Sequence, residues 1–111
     1  DNTSQNYGGG VIVTSGSTVR TRGNTSFTNN FALYDGGAIQ AEFGGRVQIA
    51  GRTTFLNNTV GNFGGAMNAY DGVIVTTVGE TSFVGNSAEE GGAVYADRGV
   101  IVALAGAQLY E

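Results

Sequence analysis

GGAIQAEFGGRVQIAGRTTF, residues 36–55, is one of four copies of a 20-residue block in this chain of 111 residues. The other copies begin at Gly8, Gly64 and Gly91, and all four align without a gap. Successive copies begin 28, 28 and 27 residues apart. A constant period of this length indicates a repeat architecture, in which each repeat packs mainly against its neighbours.

Each period contains three short runs of β-type residues. In the second repeat they are residues 38–41, 46–50 and 53–56, and they alternate roughly between apolar and polar positions. Three strands in a turn of constant length predict an all-β fold, a right-handed parallel β-helix (β-solenoid) of about four coils. A β-sandwich, the rival all-β fold, predicts antiparallel hairpins and no 28-residue repeat. Two glycine columns between the runs offer the positive φ of a corner: Gly16, Gly44, Gly72, Gly99 and Gly23, Gly51, Gly79, Gly106.

Stacked coils turn equivalent positions into ladders along the solenoid axis. Aliphatic ladders are expected in the core, at Val11, Ile39, Met67, Val94, at Val13, Ala41, Ala69, Ala96 and at Val19, Val47, Val75, Val102. An aromatic ladder is expected at Phe27, Phe55, Phe83 and Tyr110. Three residues after each Phe, an asparagine ladder is expected to pass amide hydrogen bonds between coils, with the members Asn2, Asn30, Asn58 and Asn86.

The domain expectation is a single β-helix segment over residues 1–111, with coils that start near residues 8, 36, 64 and 91. Neither end carries an evident polar capping repeat, which solenoids normally need. The segment is therefore expected to belong to a longer array or to stack end to end.

Composition excludes several kinds of chemistry. The net charge is −4 and Lys is absent, so no basic patch meets the phosphates of a nucleic acid. The absence of Cys and His removes disulfides, thiolate metal sites and thiol catalysis. No apolar run reaches 18 residues, so no membrane-spanning helix is expected. The acidic residues are scattered, and the sequence predicts no enzyme, no metal site and no cofactor.

The stretches between blocks, residues 31–35, 59–63 and 87–90, differ most between repeats, and the one deletion falls in the last of them. They are expected to be surface loops that carry specificity. Aromatic side chains in or near them are the candidate binding surface: Tyr34, Phe63, Tyr70 and Tyr95, with Phe43 nearby. The alternative is that Phe43 and Phe63 only cover a corner of the solenoid.

Two motifs alternate along the chain. Phe-x-x-Asn occurs at residues 27–30, 55–58 and 83–86, and each copy precedes Gly-Gly-Ala followed by an apolar residue. The glycine pairs of that second motif are Gly36–Gly37, Gly64–Gly65 and Gly91–Gly92. The alternation resembles the FxxN and GGA(I/L/V) repeats of the chlamydial polymorphic outer membrane proteins. The first repeat departs from it, with Gly10 in place of alanine, and no Asn follows Tyr110.

The resemblance implies an autotransporter passenger β-helix that acts as an adhesin. It implies an extracellular or cell-surface location and a protein or glycan partner on another cell.

Two alternatives stay open. One is a structural subunit of an extracellular filament, which binds further copies of itself through its coil ends.

The other alternative is an ice-binding β-solenoid. Thr25, Thr53 and Thr81 form a threonine ladder, as flat ice-binding faces require. If the neighbouring phenylalanines point inward, however, this ladder also points inward by the period-two alternation of a strand. Arg52 and Glu80 then lie on the outward face and interrupt it.

Overall fold

The structure is a computed structural model that describes the backbone of residues 2–110 and the side chains of residues 2–106. Within this range all regular secondary structure is strand. The strands are β1 (Thr3–Ser4), β2 (Val11–Val13), β3 (Thr18–Thr21), β4 (Asn24–Thr28), β5 (Phe31–Ala32), β6 (Ile39–Ala41), β7 (Arg46–Leu56), β8 (Thr59–Val60), β9 (Met67–Tyr70), β10 (Ile74–Val84), β11 (Val94–Asp97), β12 (Ile101–Leu104) and β13 (Ala107–Tyr110).

The strands form three parallel sheets that the chain visits in turn. Sheet 1 has the order β1-β5-β8, and sheet 2 has the order β2-β6-β9-β11. In sheet 3, β3 and β4 pair with β7, β7 pairs with β10, and β10 pairs with β12 and β13. Each pairing joins equivalent residues of successive coils, as Ile39 joins Met67 and Val47 joins Val75. The fold is therefore a parallel β-solenoid of about four turns, and the predicted fold class is confirmed.

The three strands of a coil differ in detail from those expected. In the central coils the second and third expected runs are one continuous strand, β7 or β10, each 11 residues long. These strands bend at Gly51 and Gly79, whose φ values are 77° and 101°. The third strand of the coil lies instead in the stretches 31–35 and 59–63, for which the sequence predicts only loop. There β5 pairs with β8. Ala32 and Val60 are buried in that sheet, which gives the stretches a second role in the core.

The core is made of inward-facing ladders. Ile39, Met67, Val47 and Val75 are fully buried, and the rings of Phe55 and Phe83 are buried with them. Successive phenylalanine rings lie 4.9 Å apart and almost parallel, from Phe27 through Phe55 to Phe83. Val13 of the first coil is buried as well, but the other described core residues of the first and fourth coils are mostly only partly buried: Val11, Val19, Phe27, Val94 and Val102.

Two expected ladder positions differ in the fourth coil. Ala96 is exposed, because among the described residues β11 has a neighbouring strand on one side only. The backbone register pairs Phe83 with Leu109, and it pairs Tyr110 with Val84. Leu109, rather than Tyr110, therefore follows Phe83 in register. The chain loses one residue relative to the third coil between β12 and β13. The side chains of residues 107–110 lie outside those the structure describes.

The asparagine ladder joins the coils at one corner. The Asn58 Oδ1 atom accepts hydrogen bonds from the backbone N–H of Asn30 at 3.0 Å and from its Nδ2 at 2.9 Å. Asn86 Oδ1 accepts the same pair of bonds from Asn58, at 3.0 and 2.9 Å. The Nδ2 group of Asn58 also donates to the Phe27 carbonyl at 2.9 Å. The side-chain amides thus satisfy backbone groups that turn away from the sheets.

The glycine pairs let this corner pass close to the next coil. Gly36 has a φ of 67°, and a Cβ there would lie 2.6 Å from the Ile39 carbonyl oxygen. A Cβ at Gly37 would lie 2.0 Å from the Gly65 carbonyl oxygen. The first glycine of the pair is needed for conformation, and the second is needed for space.

We expect Gly37→Ala to destabilise the protein by about 3 kcal/mol or more, which is more than Gly44→Ala does, because its Cβ overlaps backbone of the neighbouring coil. Gly44 also has a positive φ, of 73°, but a Cβ there meets nothing within 4 Å. Its substitution carries only the conformational cost of about 1–2 kcal/mol. Urea denaturation of both variants measures the difference, and equal losses would contradict the assignment.

We expect Asn58→Ala to lower the free energy of unfolding by about 1–3 kcal/mol for each buried group left without a partner. The backbone N–H of Asn30 loses its acceptor in this variant. Asn24→Ala, on the exposed side of β4, is the matched control and should change stability by less than about 0.5 kcal/mol. Similar losses of unfolding free energy for both variants would show that the asparagine ladder does not stabilise the protein more than an exposed asparagine does.

Candidate functional site

The candidate site lies on the outer face of sheet 2. In β6, Ile39 and Ala41 face the core, so Gln40 between them faces outward. Gln40 and the equivalent Asn68 of β9 are nevertheless buried, with exposed fractions of 1% and 3%. The corners that lead into the glycine pairs run close beside this face, since a Cβ at Gly8 would lie 3.3 Å from the Cβ of Gln40. Outward amides are therefore covered where the alternation alone predicts exposure.

An open cleft of about 270 Å³, here called the aromatic cleft, runs along this face. Its residues come from equivalent columns of successive coils, and they combine four rings with charged groups. They are Tyr7, Asp35, Phe63, Asn68, Tyr70, Tyr95, Asp97 and Arg98. The cleft is small, because sites for drug-sized ligands usually measure about 300–1,000 Å³. Its size suits one side chain or one sugar ring.

Three of the four aromatic candidates from the sequence meet in the aromatic cleft. The rings of Phe63 and Tyr95 stack with their centroids 4.6 Å apart. Tyr70 contacts the ring of Phe43 edge to face at 5.7 Å. Tyr34 lies outside the lining, exposed, with its ring 5.8 Å from that of Tyr7.

A chain of hydrogen bonds underlies the cleft. Asn68 Nδ2 donates to Gln40 Oε1 at 3.0 Å, and Gln40 Nε2 donates to Glu42 Oε2 at 3.4 Å. The Tyr70 hydroxyl donates to the same Glu42 oxygen at 2.7 Å. An ionised carboxylate only accepts hydrogen bonds, so Glu42 determines the orientation of both amides.

This hydrogen-bond network uses the Nδ2 group of Asn68 but leaves its side-chain oxygen, Oδ1, without a donor. It is buried and has no hydrogen-bond partner among the described residues. A buried polar atom without a partner costs about 1–3 kcal/mol. The aromatic cleft thus has an acceptor at its floor that lacks a donor.

Burial also affects two ionisable groups of the cleft. Burial, the hydrogen bond to Glu42 and the negative charge there together raise the pKa of Tyr70 to about 12, and burial is the largest of these causes. Burial raises the pKa of Asp35, although hydrogen bonds from Phe63 and Asn62 partly oppose the shift. The Phe63 backbone N–H donates to Asp35 Oδ1 at 3.3 Å.

The ion pairs of the described residues are exposed. Arg98 lies 3.8 Å from Asp71, as the shared columns of adjacent coils predict, and 3.9 Å from Asp97. Arg52 and Glu80 form a further pair at 2.9 Å on sheet 3. Each such pair contributes about 0–1 kcal/mol.

Within the described part of the chain, no three acidic side chains lie close enough to hold a metal ion. The described residues also contain no helix that is long and apolar enough to cross a membrane.

Asp35, Gln40, Asn68 and Tyr7 were not identified from the sequence. The alternation assigns Gln40 and Asn68 to solvent, and Asp35 and Tyr7 lie in stretches without a motif. One signal was available: Gln40 and Asn68 occupy the same column, 28 residues apart, and both are amides that can bond to each other between coils.

Two segments match the Chlamydia polymorphic membrane protein repeat. They are residues 24–42 and residues 80–97. Each segment begins in the strand that carries the stacked phenylalanine, passes the ladder asparagine and the glycine pair, and ends in sheet 2 beside the aromatic cleft. No curated protein and no solved structure matches the chain significantly.

The polymorphic membrane protein repeat thus coincides with the scaffold. Its Phe-x-x-Asn motif provides the stacked rings and the amide ladder, and its glycine pair provides the close corner. The side chains of the aromatic cleft that come from the same segments, such as Asp35 and Tyr95, differ between repeats. The two matched segments therefore contain both the residues that build the coil and some residues of the aromatic cleft.

We expect Asp35→Asn to keep or raise stability at neutral pH, since Asn retains the acceptor for Phe63 and removes a partly buried charge. A raised pKa means that the wild type gains stability relative to this variant as the pH falls. The gain is complete below the ordinary value of 3.8 and is lost as the pH rises through the folded-state pKa. Urea titrations between pH 3 and pH 7 measure it, with exposed Glu80→Gln as control. An opposite pH trend would contradict the burial of Asp35.

Proposed function

We propose that this chain is a non-enzymatic, adhesin-like display scaffold at the cell surface, and that the aromatic cleft binds a protein or glycan of another cell. The observation that carries the proposal is the cleft itself. It joins four aromatic rings, the carboxylates of Asp35 and Asp97, and a buried acceptor that has no donor among the described residues, on an outer face whose strands are held in register by the neighbouring coils. Rigid positioning of aromatic anchors is a feature of binding sites, because little entropy is lost on contact.

The chemistry of the cleft supports binding over catalysis. The Glu42 carboxylate accepts hydrogen bonds from Tyr70 and Gln40, and its role in the cleft is to orient these two side chains. The chain contains no His, Lys or Cys to act as general base or nucleophile. Some solenoids of this shape are enzymes, but fold analogy alone does not justify an activity.

The proposed location rests on the repeat. Two segments match a repeat of membrane proteins of Chlamydia. We infer an extracellular or outer-membrane surface location, in which the solenoid holds its outer faces toward the surroundings. A filament that stacks through coil ends stays a separate prediction, which light scattering of the purified chain tests.

The ice-binding alternative has less support. Thr53 and Thr81 are buried, so the threonine ladder faces the core, as the alternation predicts. The Arg52–Glu80 ion pair lies on the outward face of the same strands. A thermal-hysteresis measurement tests what remains of this alternative.

We expect a Tyr70→Ala, Tyr95→Ala double variant to reduce adherence of chain-coated beads to cultured epithelial cells by about tenfold or more. Aromatic anchors at binding sites commonly contribute more than ~1 kcal/mol each. The matched control is Val78→Ala with Ile101→Ala, two exposed apolar residues of sheet 3. Circular dichroism verifies that both variants fold. Unchanged adherence of the tyrosine variant, or equal loss in the control, would overturn the proposal.

A further inference from the structure

We propose that the aromatic cleft binds a primary alkylammonium group, the side-chain amine of a lysine on a partner protein. The inference rests on the proposed function, because it takes the cleft as the binding site, and it adds the chemical class of the ligand. Three independent properties of the cleft lead to it: the kind of hydrogen bond that its floor lacks, its charge and its rings.

The first property is the unmet acceptor. The Glu42 carboxylate orients Gln40, and Gln40 orients Asn68, so the atom left at the floor is the Asn68 carbonyl oxygen. This oxygen is buried without a partner in the described structure. A ligand that satisfies it must donate a hydrogen bond, and an ammonium group has three donors and no acceptor. Asn68 lines the cleft but is only 3% exposed, so the groups around its oxygen must shift to admit the donor.

The second property is the charge. Asp35 and Asp97 line the cleft, and the Glu42 carboxylate contacts Tyr70 from behind. Arg98 is the one cationic residue of the lining, and it lies between the carboxylates of Asp71 and Asp97. The balance favours a cation and disfavours an anion such as phosphate or a carboxylate. The chain has no lysine of its own that would compete for the site.

The third property is the set of rings. Tyr7, Phe63, Tyr70 and Tyr95 surround the cleft. An ammonium group is attracted to the face of an aromatic ring within about 6 Å, and Tyr and Phe both serve. The four methylene groups of a lysine side chain pack on the same rings while its amine reaches the polar floor. The volume of about 270 Å³ suits a single side chain.

A sugar ring is the competing occupant, since sugars also stack on aromatic rings and donate hydroxyl hydrogens. Sugar hydroxyls accept hydrogen bonds as well, so a sugar also needs donors from the cleft. The Tyr70 hydroxyl is already used by Glu42, and Arg98 already faces two carboxylates. The Tyr7 and Tyr95 hydroxyls can still donate to a sugar, so charge is what favours the amine: the carboxylates of Asp35 and Asp97 attract a cation and not a neutral sugar.

The test is an NMR titration of the ¹⁵N-labelled chain with Nα-acetyl-lysine methylamide. The matched probe is the norleucine analogue, which has the same methylene chain and no charge. Methyl galactoside and methyl glucoside are the sugar probes. We expect the lysine probe to shift the signals of the Asn68 side-chain amide and of Tyr95, and to bind at least about fivefold more tightly than the norleucine probe. Equal binding of the two would overturn the proposal.

Variants locate the site. We expect Asp35→Asn and Asp97→Asn each to weaken binding of the lysine probe by roughly three- to tenfold, as one partly exposed charge contact does. Asn68→Leu, which removes the acceptor, should weaken it further. Glu80→Gln removes an exposed carboxylate on sheet 3 and should leave it unchanged. If Asn68→Leu does not fold, the two aspartate variants carry the test. Equal weakening by Glu80→Gln would show a nonspecific charge effect and overturn the proposal.

The bead-adherence assay, carried out with chemically treated target cells, separates this inference from the proposed function. Acetylation of surface lysines on the target cells should abolish adherence if the ligand is an amine, and mild periodate oxidation of glycans should not. If adherence depends on Tyr70 and Tyr95 but only periodate or a glycoside affects it, the adhesin proposal stands and the amine is wrong. If adherence ignores both tyrosines, the adhesin proposal fails whatever the lysine probe does.

Discussion

The structure depends on the in-register parallel pairing of each coil with the next, and the asparagine ladder extends this pairing through a corner. Strand residues satisfy their backbone groups in the sheets, but a corner turns those groups away from the neighbouring strand. Asn30, Asn58 and Asn86 provide the missing partners, each through bonds to the adjacent coil. Because this corner is held in register, the phenylalanine rings three residues earlier stack almost face to face.

The same register explains the glycine pairs and, through them, the aromatic cleft. Close approach of successive corners leaves no room for a Cβ at Gly37 or at Gly65. Corners held so near the solenoid also run beside the outer face of sheet 2, and Gln40 and Asn68 are buried there. The constraint that makes the coil stable thus creates the covered polar floor on which the cleft is built.

Scaffold and site use the repeat differently. Scaffold positions carry the same residue type in successive coils, because identical neighbours stack along the axis. Cleft positions carry different residues in successive coils, so Asp35 pairs with Phe63, and Tyr70 pairs with Asp97. Different groups stacked in one column form a surface with mixed charge and aromatic character. The hydrogen bond from the Tyr70 hydroxyl to Glu42, at 2.7 Å, shows how closely such unlike groups are packed.

The 28-residue period by itself determined the solenoid, the core ladders and the columns in which Tyr70, Asp97 and Glu42 lie. A repeat specifies which residues stack above one another, so the members of each column can be assigned from the period alone. Tertiary structure alone decided how separate columns meet around a coil. It fused two expected strands through Gly51, formed a short sheet at Ala32 and Val60, and put Leu109 in register with Phe83. It also placed the corner at Gly8 beside Gln40, because the path of the chain between columns depends on packing that a period does not encode.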